Sequence, residues 1–189
     1  MADSCRVKGV AFRSVYASLG KLRGKPAQQA ALSRLSEELQ NGFMYGAIVS
    51  GGWYSIDWYK ELFVGIRAAT GEGKELVHEI GRQCTRDDMA GIYSMLAKLI
   101  SPQSLLSLSQ RLFSNYYSLG KVEAVESRRG YSHARWTGCR GFDESMWTEI
   151  LGSCAQLLEI GGAQIVRARI VSGGQDGSDS MEVAAHWSA

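Results

Sequence analysis

The chain has 189 residues, 45% of them hydrophobic, and a formal charge of +2 from 21 Lys and Arg against 19 Asp and Glu. A chain of that length buries roughly 70% of its unfolded surface in one core, so a single domain over residues 1–189 is expected. Near-balanced charge removes any general attraction to nucleic acid or an anionic membrane. Apolar runs well short of ~20 residues exclude a helical membrane span, and the opening MADSCRVKG has no apolar signal region, so the cytoplasm is the expected location.

In chain order, Val7 to Leu22 starts extended and passes into helical spacing at Phe12, Val15, Tyr16 and Leu19. Gly24 and Pro26 break it, with Pro26 suited to the first turn of a second helix through Ala30, Ala31, Leu32 and Leu35. SEELQNGFMYGAIVSGG reads as a connecting stretch across the surface. Over Trp53 to Ala69, the stripe Ile56, Tyr59, Leu62, Phe63 and Ile66 predicts an amphipathic helix that Ser55 can cap. Trp53, Tyr54, Trp58 and Tyr59 open it as an aromatic cluster suited to a ligand pocket, a partner anchor or the core itself. Two more helices are expected, one through Leu76, Val77, Ile80 and Cys84 and one through Met89, Ile92, Leu96, Leu99 and Ile100, joined at Arg86 to Asp88. Ser101 and Pro102 then open a helix through Leu105, Leu108, Leu112, Phe113, Tyr116 and Tyr117, which Gly120 ends.

At Lys121 the hydrophobic period changes. Lys121 to Glu126 and Tyr131 to Thr137 read as a hairpin. Asp143 to Gly162 follows as a helix with the stripe Trp147, Ile150, Leu151, Cys154, Leu157 and Leu158, Asp143 as its cap and Gly161 or Gly162 as its end. Ile165 to Val171 and Met181 to Trp187 alternate as strands around the turn-rich SGGQDGSDS, giving a second hairpin whose Arg167 and Arg169 could face Glu182. The fold class is therefore α+β, with N-terminal helices packed on a small antiparallel sheet made by hairpin, helix and hairpin at the C-terminal end.

Chemistry-bearing residues are sparse. Cysteines 5, 84, 139 and 154 form no C-x-x-C pair, so free structural thiols are expected. His78 falls off its helix stripe and has no second ligand at i+4, and no metal site is expected. Cys139 is the one thiol that spatial convergence with a histidine, His133, would make interesting. Arg128, Arg129, Arg135 and Arg140 with Tyr131 and Trp136 interleave charge and rings as single-stranded nucleic-acid binders do, but no nucleic-acid motif accompanies them and none is expected to bind. Tyr131, His133 and Arg135 alternate along one strand and so share a face, which is either solvent-exposed or an anion site.

VKG near the start, GGWYSIDWYKEL, ELVHEIGR, SPQSLL, NYYSLGKVEAVE, WTGC, ILGSCAQLLEIGG and a closing hairpin that ends in Trp resemble a paralogous myxobacterial family of unknown function. That family is similar to 4-vinyl reductase-like small-ligand domains and, more distantly, to haem nitric-oxide/oxygen-binding domains and TRAPP vesicle-tethering subunits. The resemblance implies a ligand-binding or signalling module for a small hydrophobic or tetrapyrrole-like molecule. Haem-binding relatives use a proximal histidine on the helix before the first hairpin and a Tyr-x-Ser-x-Arg motif. Here Ser101 to Gly120 holds no histidine, and His133 replaces the serine between Tyr131 and Arg135. The vinyl-reductase-like cysteine pair of the last hairpin is also missing, near Val171 and Met181.

These readings converge on a non-enzymatic cytoplasmic sensor domain without a cofactor. It would bind a small hydrophobic molecule between helices and sheet, lined by Trp58, Tyr116, Tyr131, Arg135 and Trp136. The alternative is an interaction or homodimerisation module with the same fold, no ligand, and a protein partner on an aromatic patch around Trp53 and Tyr54.

Overall fold

The computed structural model describes residues 4–90, 101–102 and 108–188. Strand β1 (Arg6–Lys8) pairs antiparallel with β2 (Trp53–Ser55), which ties the start of helix α1 (Gly9–Leu32) to the start of α3 (Ile56–Thr70). Between them lies a short helix, α2 (Glu37–Met44). Helix α4 (Lys74–Met89) and a six-residue α5 (Ser109–Ser114) follow. The C-terminal part is β3 (Lys121–Arg128), β4 (Tyr131–Thr137), α6 (Glu144–Ile160), β5 (Gln164–Gly173) and β6 (Met181–Ser188). The four strands form one antiparallel sheet in the order β3-β4-β6-β5, so hairpin, helix and hairpin build an α+β fold as the pattern predicts.

Local chemistry explains most boundaries. Gly24 takes a left-handed φ of 84° inside α1, two residues before Pro26, and the helix restarts beyond it. Ser55 accepts a hydrogen bond from the Asp57 amide at the start of α3, and the Asp143 carboxylate accepts one from the Met146 amide at the start of α6. Gly71, with φ 71°, ends α3. Gly162 rather than Gly161 takes the left-handed conformation after α6.

Three expectations are corrected. The stretch after Leu35 is not merely a connection: Ser36 precedes α2, Glu37 and Glu38 occupy its favourable first turn, and buried Leu39 anchors it. Arg86 to Asp88 is no joint, because α4 runs through it to Met89 without a breaker. Arg167 and Arg169 lie opposite His186 and Ala184 instead of Glu182, since the β5–β6 register carries Glu182 past both arginines to the position opposite Ser172. The helix expected through Ile92, Leu96, Leu99 and Ile100 and the start of the one through Leu105 lie outside the described residues; α5 is the described part of the latter.

One contiguous core runs through the molecule, with Trp147, Tyr59, Phe12 and Phe63 among its largest fully buried side chains. Helices α4 and α6 pack face to face at very short range. A Cβ on Gly81 would collide with the Glu149 carbonyl oxygen, and one on Gly152 with the His78 carbonyl oxygen, so only glycine lets these two backbones approach. The C-terminal half of α6 then covers the sheet through Leu158, Ala163, Ala185 and Trp187. Among the described residues no helix is long and apolar enough to cross a membrane.

Candidate functional site

The close α4–α6 crossing leaves space beside it. A cavity of about 130 Å³ is walled by α1 (Ala11, Ser14), α3 (Tyr59), the last turns of α4 (Cys84, Thr85, Asp88, Met89), α5 and the residues after it (Leu112, Phe113, Tyr116, Tyr117), Trp136 of β4, and α6 (Glu149, Ile150, Ser153, Cys154, Leu157). The wall is mostly apolar and strongly aromatic, as ligand cavities are, with a few convergent polar groups. Edge-to-face and tilted ring contacts hold it: Tyr59 against Tyr117 at 6.4 Å and Phe113 against Tyr117 at 4.8 Å between centroids.

Two carboxylates belong to this wall. Glu149 is only 7% exposed, on the fully packed stretch of α6, and accepts a hydrogen bond from the Tyr117 hydroxyl at 3.2 Å. Ser153 Oγ lies 3.2 Å from Glu149 Oε1 and 3.1 Å from the Gly81 carbonyl. A single hydroxyl hydrogen serves one of these at a time, so both contacts are satisfied together only when Glu149 carries a proton and donates it. Burial pushes the Glu149 carboxyl up to about 7, against the opposing hydrogen bonds of Ser153 and Tyr117, and the nearby Asp88 adds to the rise. Asp88 accepts from the Tyr116 hydroxyl at 2.7 Å and from the Ser14 hydroxyl at 3.0 Å. It sits in the last turn of α4, where the helix dipole disfavours a negative charge. Among the described residues neither Glu149 nor Asp88 has a Lys, Arg or His partner, and the described wall contains no cation.

The thiols and phenols around them are held protonated by burial. Cys154 is pushed up to about 12, Cys84 is pushed well above the ordinary thiol value, and Tyr59, Tyr116 and Tyr117 all rise for the same reason, with Glu149 or Asp88 adding repulsion. All four cysteines are free. Buried neutral thiols of this kind are inert packing groups.

Of the five residues singled out from the sequence, the cavity wall brings together Tyr116 and Trp136. Trp58 stands apart, stacked on Tyr54 with centroids 6.1 Å apart. Tyr131 and Arg135 project from the opposite face of β4, because residues an odd number of positions from Trp136 point the other way. There Glu182 Oε1 accepts from Arg135 Nε at 2.8 Å, Glu182 Oε2 meets His133 Nε2 at 2.7 Å, and Arg135 Nη1 reaches Glu123 at 3.1 Å. Tyr131 packs on His186 at 4.8 Å, under the Arg128 guanidinium at 4.5 Å. The guanidinium and imidazole that could have met an anion already meet carboxylates. Cys139 is fully buried on the far side of this pairing, its thiol turned to the Thr137 carbonyl. No group of three metal-ligating side chains occurs among the described residues.

Glu149 and Asp88 escaped the sequence reading. The one signal for Glu149 was its place inside an apolar helix stripe next to Gly152 and Ser153, small residues that admit a second packed neighbour. Asp88 enters the sequence reading only as part of the expected joint from Arg86 to Asp88.

No family model matches the chain, and no curated protein does. Solved structures do. A variant of the Tt H-NOX domain superposes with a TM-score of 0.72 at 16% identity, covering 96% of this chain and 95% of that one. An oxygen-binding H-NOX domain related to soluble guanylate cyclases, in its oxygen complex, gives 0.67 at 16% identity over 96% and 95%. A variant of the Fe(II) unliganded H-NOX protein from K. algicida gives 0.69 at 14% identity over 96% and 97%. Over nearly its whole length, this chain has the H-NOX-like fold.

Proposed function

We propose that the protein is a non-enzymatic sensor domain that binds a small, largely apolar molecule in the cavity between α1, α3, α4, α6 and β4, and that it does so without haem. The observation that carries this reading is the aromatic-walled cavity of about 130 Å³. Its size is that of engineered cavities that hold a benzene ring, and well below the ~300–1,000 Å³ of drug-sized sites. An H-NOX-like fold supports a sensor role, and the wider resemblance to small-ligand domains belongs to the same proposal.

Haem, the group whose distortion has been probed in the H-NOX family, does not fit the described residues. The chain's three histidines, at 78, 133 and 186, all lie outside the described wall. A haem would add the negative charge of its propionates to a described wall that already holds Glu149 and Asp88 and no cation.

The test is to purify the protein from its own host, record its native mass, denature it and identify what is released. A stoichiometric small organic molecule supports the reading. A bare protein that small apolar probes also fail to stabilise against heat would remove it. A second reading, as an interaction or dimerisation module, draws on Met44, Tyr45, Val49 and Trp53, exposed apolar side chains clustered in sequence at the end of α2 and in β2. It requires a mass that rises with concentration and falls back in Trp53→Ser.

A further inference from the structure

The cavity's polarity is one-sided. Two carboxylates from different helices, Glu149 on α6 and Asp88 on α4, reach a wall whose other described members are rings, thiols, a thioether, hydroxyls and aliphatic groups. Every other described carboxylate on α4 that forms an ion pair does so at the surface: Glu79 with Arg23 and Asp87 with Lys21. Asp88, half-buried, lines the cavity instead, at the dipole-disfavoured end of its helix, and among the described residues it is met by the hydroxyls of Tyr116 and Ser14. Glu149 is buried and has no counter-charge among the described residues, so its ionised form is costly, and a ligand that supplies a positive charge recovers that cost on binding. The same wall carries Tyr59, Phe113, Tyr116, Tyr117 and Trp136, rings whose electron-rich faces attract a cation in a dry site.

We infer that the ligand of this cavity is a small organic ammonium ion, its charged end held by Glu149 and Asp88 and its apolar body enclosed by the rings of Tyr59, Phe113, Tyr116, Tyr117 and Trp136. This inference rests on the reading of the cavity as a ligand site and specifies the ligand's charge. A metal ion is a poorer match, because hard cations take six or more oxygens with several carboxylates among them, and no group of three metal-ligating side chains occurs among the described residues. An anion would face both carboxylates.

The Glu149 environment couples such binding to protons. Facing it are Tyr117 and Tyr116 from the segment after α5, Tyr59 from α3, Cys84 and Asp88 from α4, and Ser153 and Cys154 from α6; none is cationic. With the cavity empty, the protonated form satisfies both Ser153 contacts; an ammonium ion favours the ionised form. Binding therefore releases a proton from Glu149 below about pH 7.

The test uses the full chain and three probes of matched shape: benzylammonium, its neutral isostere ethylbenzene, and benzoate. Affinities are measured by calorimetry at several pH values for the wild type and for Glu149→Gln and Asp88→Asn, with circular dichroism checking that both variants are folded. The expected result is that benzylammonium binds at pH 8, weakens about tenfold per pH unit below 7, and loses at least tenfold in Glu149→Gln. Ethylbenzene should be indifferent to pH and to both substitutions, and benzoate should not bind. If ethylbenzene binds while benzylammonium does not, or binds with no response to pH or to either variant, the charge assignment is overturned and the cavity reading survives. If none of the three binds, the cavity reading falls and takes the charge assignment with it. The pH series on the wild type decides the matter even if neither variant folds.

Discussion

On the outer face of β4, Glu182 lies between Arg135 and His133, and these partners hold its carboxyl below the usual range, the Arg135 hydrogen bond first. On the inner side, behind Trp136, Glu149 meets only hydroxyls and is held above that range by burial. The same residue type is thus tuned in opposite directions a strand's thickness apart. The difference teaches where unfinished chemistry lies. In the outer cluster the basic groups already meet carboxylates; the inner one has no counter-charge among the described residues and has a cavity beside it.

The most severe way to break the comparison is to destroy the inner side alone. Gly152→Ala or Gly81→Ala should cost about 3 kcal/mol or more, because a backbone carbonyl of the facing helix must move to admit the methyl. Urea denaturation should show a lowered midpoint with an unchanged slope, and the cavity probes should lose their binding.

A smaller effect sharpens it. Glu149 keeps its proton in the folded state up to about 7, whereas unfolded it ionises near the ordinary 4.5, so the native state binds more protons between those values. Stability should therefore fall as pH rises from 4.5 through 7, by an amount on the order of 2–3 kcal/mol. Glu149→Gln should flatten that slope and, at pH 8, melt higher than the wild type. A variant that keeps the slope would show that another group causes it.

The smallest effect tests the outer face. Glu182 has the opposite sign: its contribution is present above 4.5 and is lost as pH falls through its lowered value. Glu182→Gln should cause a slight loss at neutral pH that salt reduces, since the pairs are partly exposed to solvent. A large, salt-insensitive loss would mean that this cluster is structurally dominant, and the contrast with Glu149 would fail.

Much of the fold was legible because it is written locally. Asp143, Ser55, Gly24 and Gly162 fix boundaries through hydrogen bonds and backbone conformations that span a few residues, and the period-two runs Tyr131–Thr137 and Met181–Trp187 show the sheet. Helix α2 was missed because its signals, two first-turn glutamates and one buried leucine, are outnumbered by glycines and polar residues. The candidate site was only half legible. Tyr116 and Trp136 could be named as large aromatics, but which face of β4 looks inward depends on pairing with β6, and that register is set by contacts about 50 positions away.

Local sequence was enough for most element types, for the α+β order of the C-terminal part, for the lack of a histidine between Ser101 and Gly120, and for the inert setting expected of the cysteines. Only the tertiary structure decided that Glu149 and Asp88 share one cavity, that Arg135 and His133 are committed to Glu182, and that Gly81 and Gly152 are the crossing point that brings the walls together. The physical reason is range. Caps and periodicity act within one or two turns, whereas burial, desolvation and the presence or absence of a counter-charge belong to side chains that meet only after the helices have packed.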